Sequence, residues 1–438
     1  MSKSARQIAY EILLKIEVSE AYSNLAIDSA VKMYNPDSTD CAFISRLVYG
    51  VTERKITLDY VISQYLSKPI KKTKPEILTI LRLGAYQILF MHKIPQSAAV
   101  NESVKLTKAN KYDFASGLVN AVLRKIGQNG LVINDNLTET EKISVQYSML
   151  EDTVKFLIHH YGKENAEEFL KASLEPKKIF IRVNTVKIKT EELKDLLIKE
   201  NVKVFDTYLE NALKIEIDNA VYNLESFKNG LFHVEDISSQ LCVEALELFP
   251  EATAIDVCAA PGGKTFTAAQ YMENKGVLYS CDIYSQRTDL IKEGAERLGL
   301  DCVKPFVNDA TVFNEELPQM DRVLCDVPCS GLGIIGKKPE IKYKKLDDTK
   351  SLLPIQKQIL ETSSKYVKSG GRLVYSTCSV NPNENRKICD AFLKENPDFY
   401  SVKALPYVER AVDEGDYLTL FPHKNNCDGF FVAVFHRK

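Results

Sequence analysis

The chain has 438 residues, room for two to four domains at roughly 100–200 residues each. Its 45% hydrophobic and 26% charged content is that of ordinary globular protein, and no apolar run approaches the ~18–20 residues that cross a bilayer. The net charge of −2 conceals +7 over residues 1–130 and −9 over the remainder, which suits either a polyanion partner for the first third or a solvated helical surface.

The stretch from Met1 to Val18 alternates charge with apolar residues at helical spacing (Ile8, Ile12, Leu13, Ile16). That is an amphipathic helix, without the uninterrupted apolar centre of a signal peptide, and a cytoplasmic protein is expected. Residues 1–130 read as all-α, with helical periodicity over Ala5–Ile16, Ala42–Val51, Leu58–Leu66, Glu76–Met91 and Leu118–Ile126. Breaks fall at Asn35-Pro36, between Lys68-Pro69 and Lys74-Pro75, and at Ile94-Pro95. A polar stretch from Asn129-Gly130 to Glu141 reads as a linker.

Residues 145–235 mix the two periodicities. Helices over Val154–His160 and Ala166–Ser173 precede a β-rich run, Ile179–Val183, and a further helix over Thr190–Glu200 has Thr190 as its expected N-cap. This is a small α+β module. From 236 to 438 strands and helices alternate, with strands over Ala254–Cys258, Gly276–Asp282, Asp301–Val307, Arg322–Asp326 and Arg372–Thr377. Such alternation predicts βαβ units and a parallel, doubly wound α/β sheet. The closing run, Gly429–Phe435, is expected as an antiparallel edge or hairpin strand.

Ten cysteines lie scattered from Cys41 to Cys427 with no C-x-x-C pair, which excludes a disulfide scaffold and gives no support to a metal site. Most read as small buried apolar residues. The first α/β strand runs into Asp256-Val-Cys-Ala-Ala-Pro-Gly-Gly-Lys-Thr265. Glycines at a strand-to-helix turn let a ligand approach the backbone at the helix N-terminus, and Asp282, ending the next strand, stands where such folds bind ribose hydroxyls. A P-loop-like triphosphatase competes, since Gly263-Lys264-Thr265 is present and Asp326 imitates a Walker B acid. Cys258 stands where that loop needs glycine.

Two further strands end in Asp326-Val-Pro-Cys329-Ser and Ser-Thr377-Cys378-Ser. Ligands bind outside the carboxyl ends of the strands in this kind of sheet, so Lys264, Asp326, Cys329 and Cys378 are expected around one pocket. A thiolate adding to C6 of cytosine turns C5 into an enamine carbon that attacks an electrophilic methyl. In that chemistry Cys378 attacks, Asp326 hydrogen-bonds or protonates N3, Lys264 lowers a nearby thiol pKa, and Cys329 assists removal of the C5 proton. Each residue also has a structural reading: packing for the thiols, a turn cap for Asp326, a solvated first-turn lysine for Lys264.

These motifs resemble the RsmB-type (Sun/Fmu) branch of the RNA cytosine-C5 methyltransferases, over essentially the whole chain. The resemblance implies S-adenosylmethionine as co-substrate, no metal, and a Rossmann-like catalytic domain. Its cofactor contacts would be Cys258, Ala259, Ala260, Pro261, Gly262, Gly263, Lys264, Asp282, Asp309 and Asp326. It assigns Cys378 as nucleophile and Cys329 as auxiliary cysteine. Residues 1–130 resemble a NusB-like RNA-binding domain, so the implied substrate is 16S ribosomal RNA, and a monomer with no membrane partner is expected. A non-catalytic antitermination-type factor is the remaining alternative.

A second basic stretch, Lys337, Lys338, Lys342, Lys344 and Lys345 around Tyr343, reads either as a mobile loop contacting substrate phosphates or as a solvated surface loop. Attack at C6 comes from above the ring, so the target base must be unpaired or flipped out.

Overall fold

A computed structural model describes residues 3–19, 22–217 and 220–438. They form two compact units, Met1–Leu174 with Ile335–Leu346, and Glu175–Ile334 with Asp347–Lys438.

The first unit is helical. Its central helix, Pro75–Phe90, starts with proline at its first turn and is apolar nearly all round, so Ile77 through Ile88 are all buried. The one charge on that buried stretch, Arg82, is matched by a two-pronged contact to Asp59 (2.6 and 2.8 Å) and by Glu17 at 3.1 Å. By packing, the two helices expected at the start of the α+β module, observed as Glu151–Tyr161 and Lys163–Ala172, cluster with this unit, as does the helix before them, Glu139–Tyr147. Their attachment is polar as well as apolar. Ser148 accepts from the Ile56 N–H (2.9 Å), one of the orphan donors that open the helix Lys55–Ser63, and Thr57 Oγ1 donates to the Val145 carbonyl.

The segment 335–346 corrects an expectation. It is not a mobile basic loop: short 3₁₀ turns seat it on the helical unit. Lys342 is fully buried and its ammonium lies 3.3 Å from the Tyr147 carbonyl. The Tyr343 hydroxyl accepts from the Lys55 N–H (3.0 Å) and donates to the Thr52 carbonyl, and Glu340 accepts from the Ser23 N–H. Lys338 and Lys344 lie over the ring of Tyr22, 5.8 and 5.1 Å from its centroid. Lys342 is the one buried lysine of the five; Lys337, Lys338, Lys344 and Lys345 are exposed.

The second unit holds two sheets. The smaller is antiparallel: β1 (Ile179–Val183), β2 (Lys203–Asp206), β3 (Ala212–Glu216) and β4 (Phe232–Val234), in the order β2-β3-β1-β4. Thr190 is not a cap. Lys189 holds that position without a side-chain bond, and the Thr190 hydroxyl turns instead to Asn211 Oδ1 at 2.7 Å.

The larger sheet contains β5 (Thr253–Asp256), β6 (Val277–Asp282), β7 (Val303–Val307), β8 (Met320–Asp326), β9 (Val367–Thr377), β10 (Phe399–Val402), β11 (Leu418–Leu420) and β12 (Phe430–Arg437). Its order is β10-β12-β9-β8-β5-β6-β7, with β11 paired to β12. Strands β7 through β9 are parallel, and β12, β10 and β11 are antiparallel to their neighbours. The final strand is therefore interior, lying between β9 and β10. Phe430 through Phe435 are all buried, as expected of a strand covered on both faces. From β5 the chain winds outward through β6 and β7, then returns to place β8 and β9 on the other side. The order reverses between β5 and β8, and a crevice opens at their carboxyl ends.

Candidate active site at the switch point

The chain leaves β5 at Asp256 and enters the helix Gly263–Tyr271 through a turn whose last residue, Gly262, has φ 113°. A side chain there would be strained, and a Cβ would fall 2.3 Å from the Phe266 ring, so glycine is required. The turn lines a cavity of about 270 Å³ through Cys258, Ala259, Ala260, Pro261, Gly263 and Lys264. Asp256, Asp326, Glu235 and Asp236 face the same cavity. Four carboxyl groups and one ammonium thus line an acid-rich cavity.

Lys264 is spent on Asp326, at 2.8 Å, with the Phe430 ring below it. Burial works against the ammonium, yet the neighbouring Asp326 carboxylate outweighs that and holds Lys264 above its ordinary range. Lys264 thereby neutralises the aspartate. The other Asp326 oxygen accepts from Ser376 at 2.7 Å, which fixes the carboxylate in its plane. Asp256 is buried, and burial pushes its carboxyl from the usual 3.8 up to about 7. Thr265 donates to one of its oxygens at 2.8 Å, and the other has no partner. Glu235 likewise accepts from Thr267 through one oxygen while its second, buried, is unpartnered.

The strand register explains how the thiols meet. Asp326 of β8 pairs with Ser376 of β9, so Cys329 and Cys378 follow three and two residues beyond the same rung. Their sulfurs stand 3.1 Å apart, both free and both partly exposed. The hydrogen bond to Cys378, reinforced by burial, holds the Cys329 thiol well above its ordinary range. Behind them Gly333 donates to the Cys378 carbonyl at 3.0 Å; a Cβ on Gly333 would collide with the Gly429 carbonyl at 1.9 Å.

The remaining sequence candidates fall elsewhere. Asp282, buried at the end of β6, pairs with Arg287 at 3.0 Å and does not line the cavity. Asp309 accepts from the Thr311 N–H and hydroxyl and borders a separate surface hollow with Ile283, Val307 and Phe313. The cavity residues Asp256, Glu235 and Asp236 escaped the sequence reading. Asp256 had a signal, as the last residue before the glycine turn; Glu235 and Asp236 had none. Among the described residues no cluster of His, Cys, Asp or Glu suits a metal ion.

Residues 243–436 match the model of the 16S rRNA methyltransferase RsmB/F family, residues 3–128 that of the NusB family, and residues 153–222 the ferredoxin-like domain of RsmF/B-like methyltransferases. A probable ribosomal RNA small subunit methyltransferase B of Bacillus subtilis is 38% identical over 444 residues, covering 99% of each chain. The chain belongs to the RsmB/F methyltransferase family. A second relative of the same description, from Synechocystis, is 35% identical over 98% of each chain. A methyltransferase homolog protein from Pyrococcus horikoshii, 27% identical, superposes on 69% of this chain and 100% of its own with a TM-score of 0.62. Membership in this family leaves the triphosphatase and antitermination-factor readings without support. The structure adds a local reason against the first: Thr265, which a Walker loop would turn to a metal, donates to buried Asp256.

Proposed function

We propose that this RsmB/F methyltransferase transfers a methyl group from S-adenosylmethionine to carbon 5 of a cytosine in 16S ribosomal RNA, through a covalent bond between Cys378 and C6. The observation that carries the reading is the pair of thiols 3.1 Å apart at the ends of adjacent strands, beside the Lys264–Asp326 pair. One thiol suffices for attack; two side by side suit attack and release. The acid-lined cavity fits the co-substrate, whose sulfonium and ammonium are cationic, and when bound it supplies an electrophilic methyl. Cys258 through Lys264, with Asp326, would hold it, and Asp282 and Asp309 would contribute from their own positions.

The Cys378 thiolate adds to C6, forming the S–C6 bond while the ring π electrons shift to make C4–C5 an enamine. N3 takes a proton from water in this step and returns it on release, and Asp326, held flat by Lys264 and Ser376, accepts a hydrogen bond from N3–H while the adduct lasts. After C5 has been methylated, Cys329 gives up its own proton to water and, as thiolate, takes the C5 proton. The electron pair restores the C5–C6 double bond, the C6–S bond breaks, and Cys378 leaves as thiolate. We assign RNA binding to the NusB-like residues 1–130, the small α+β module to 145–235 and catalysis to 236–438, in a monomeric, cytoplasmic enzyme.

The test is transfer of labelled methyl from S-adenosylmethionine to unmodified 16S RNA, with the product nucleoside identified. 5-Methylcytidine is expected from the wild type, with a loss of at least about a thousandfold in Cys378→Ala. Wild-type transfer by that variant, or label on another atom, would sink the mechanism.

A further inference from the structure

The two thiols lie on separate loops, and their spacing needs a cause. Glu384, just beyond the Cys378 loop, is fully buried, and four hydrogen-bond donors surround its carboxyl group. One oxygen accepts from the Ser330 N–H at 2.8 Å and from Gln356 Nε2 at 3.0 Å. The other accepts from the Ser330 and Ser379 hydroxyls, the second at 2.7 Å. Ser330 follows Cys329 directly, and Ser379 follows Cys378 directly. The hydroxyls of these serines are themselves 3.0 Å apart. A buried charge satisfied wholly by hydrogen bonds is expensive to assemble and strong once assembled. Here every donor but Gln356 belongs to a residue adjoining a reactive cysteine. Gln356 also donates to the Pro328 carbonyl, the residue before Cys329.

We propose that Glu384 is a positioning residue that fixes the distance between Cys329 and Cys378 by clamping the loops that carry them. This deepens the methyltransferase reading and rests on it. Attack at C6 and proton removal at C5 occur on neighbouring ring atoms, so each sulfur must be held within about 0.5 Å of its place. Glu384 touches neither substrate nor sulfur; it acts through Ser330 and Ser379. Glutamine in its place keeps the reach, one acceptor oxygen for the N–H donors, and an amide donor toward serine hydroxyls that can rotate to accept. Aspartate is one methylene too short.

The test reads the spacing directly, without RNA. Oxidised glutathione takes two electrons from the thiols, whose two protons pass to the released glutathione, and leaves a Cys329–Cys378 disulfide, followed by peptide mapping of alkylated protein. Wild type is expected to bridge fast, Glu384→Asp at least about tenfold slower, and Glu384→Gln close to wild type. In parallel, Glu384→Asp is expected to lose about 10–100-fold in kcat with S-adenosylmethionine affinity within about twofold, as misplaced reacting groups dictate. Glu384→Gln should recover most of that kcat. Should Glu384→Asp not fold, Ser379→Ala removes a single donor and is expected to slow bridging about threefold. Unchanged bridging in the folded variants, or a Gln variant as slow as the Asp one, overturns the proposal. Normal bridging differences with no methyl transfer by the wild type would instead overturn the methyltransferase reading and leave the clamp standing.

Discussion

Two lysine-bearing segments of this chain bury an ammonium, and they do so for different ends. At the switch point, Lys264 is held against Asp326 at the rim of an acid-lined cavity, with side-chain exposures of 16% and 23%. In segment 335–346, Lys342 is enclosed completely, near a backbone carbonyl, and the neighbouring Tyr343 satisfies the first turn of a helix. The first arrangement leaves a charged pair where a ligand can reach it; the second uses polar groups to fasten chain to chain. The difference teaches that a run of basic residues carries no function until its burial is known. Partial exposure beside a cavity marks chemistry, and full enclosure with backbone partners marks attachment.

The comparison can be broken most decisively at the thiols. Cys329→Ala should lower turnover by roughly 10²–10⁴, the usual worth of a positioned general base, and accumulate a protein–RNA adduct visible on denaturing gels. Near-normal turnover with no adduct would leave Cys329 a packing residue and weaken the chemical reading of the whole crevice. Next in size, Lys264→Met keeps the stem and removes the charge. Methyl transfer should fall roughly 100-fold and stability by about 2 kcal/mol, below the cost of breaking a fully enclosed pair because this one is partly wet. If denaturation shifted with turnover intact, Lys264 would belong with Lys342 among the fasteners.

Tyr343→Phe sharpens the other half. It orphans the Lys55 N–H and the Thr52 carbonyl and should cost about 1–3 kcal/mol in denaturant unfolding, while kcat stays within about twofold. A large loss of kcat at unchanged stability would move the segment into the active site. The smallest effect concerns Asp256. Its folded pKa, about 7, lies above the 3.8 of an exposed carboxyl, so the folded state holds an extra proton between those values. Its contribution is intact below about pH 4 and is lost as pH rises through about 7. Asp256→Asn should therefore show a flatter fall in melting temperature over pH 4–7 than wild type; parallel curves would place the proton elsewhere.

Much of the catalytic sheet was legible in sequence because local rules act strongly there. Three strands four to seven residues long end in Asp256, Asp282 and Asp326, and the first runs into a turn whose Gly262 has one conformational reason to exist. The strands β10 and β11 were not legible: they are four and three residues long, and β10 owes its pairing to β12, some thirty residues further on. The last strand, expected as an antiparallel edge or hairpin strand, is antiparallel and pairs with nearby β11, but nothing within it reveals that β10 will cover its other side. Glu235 and Asp236 lie outside the glycine-turn motif and reach the cavity from the turn after β4, a placement no local periodicity encodes.

By itself, then, the sequence determined the all-α and α/β character of the two ends, the glycine turn, and the candidate roles of Asp326, Cys329 and Cys378. Those follow from periodicity, backbone stereochemistry and the ends of strands, all properties of a few neighbouring residues. Only tertiary structure decided that Lys264 pairs with Asp326, that Lys342 and Tyr343 fasten the basic segment while its other lysines stay exposed, and that Glu384 joins the two cysteine loops. Each of these depends on which distant groups share a buried space. There an unpaired charge is costly, and a partner from elsewhere in the chain must be found.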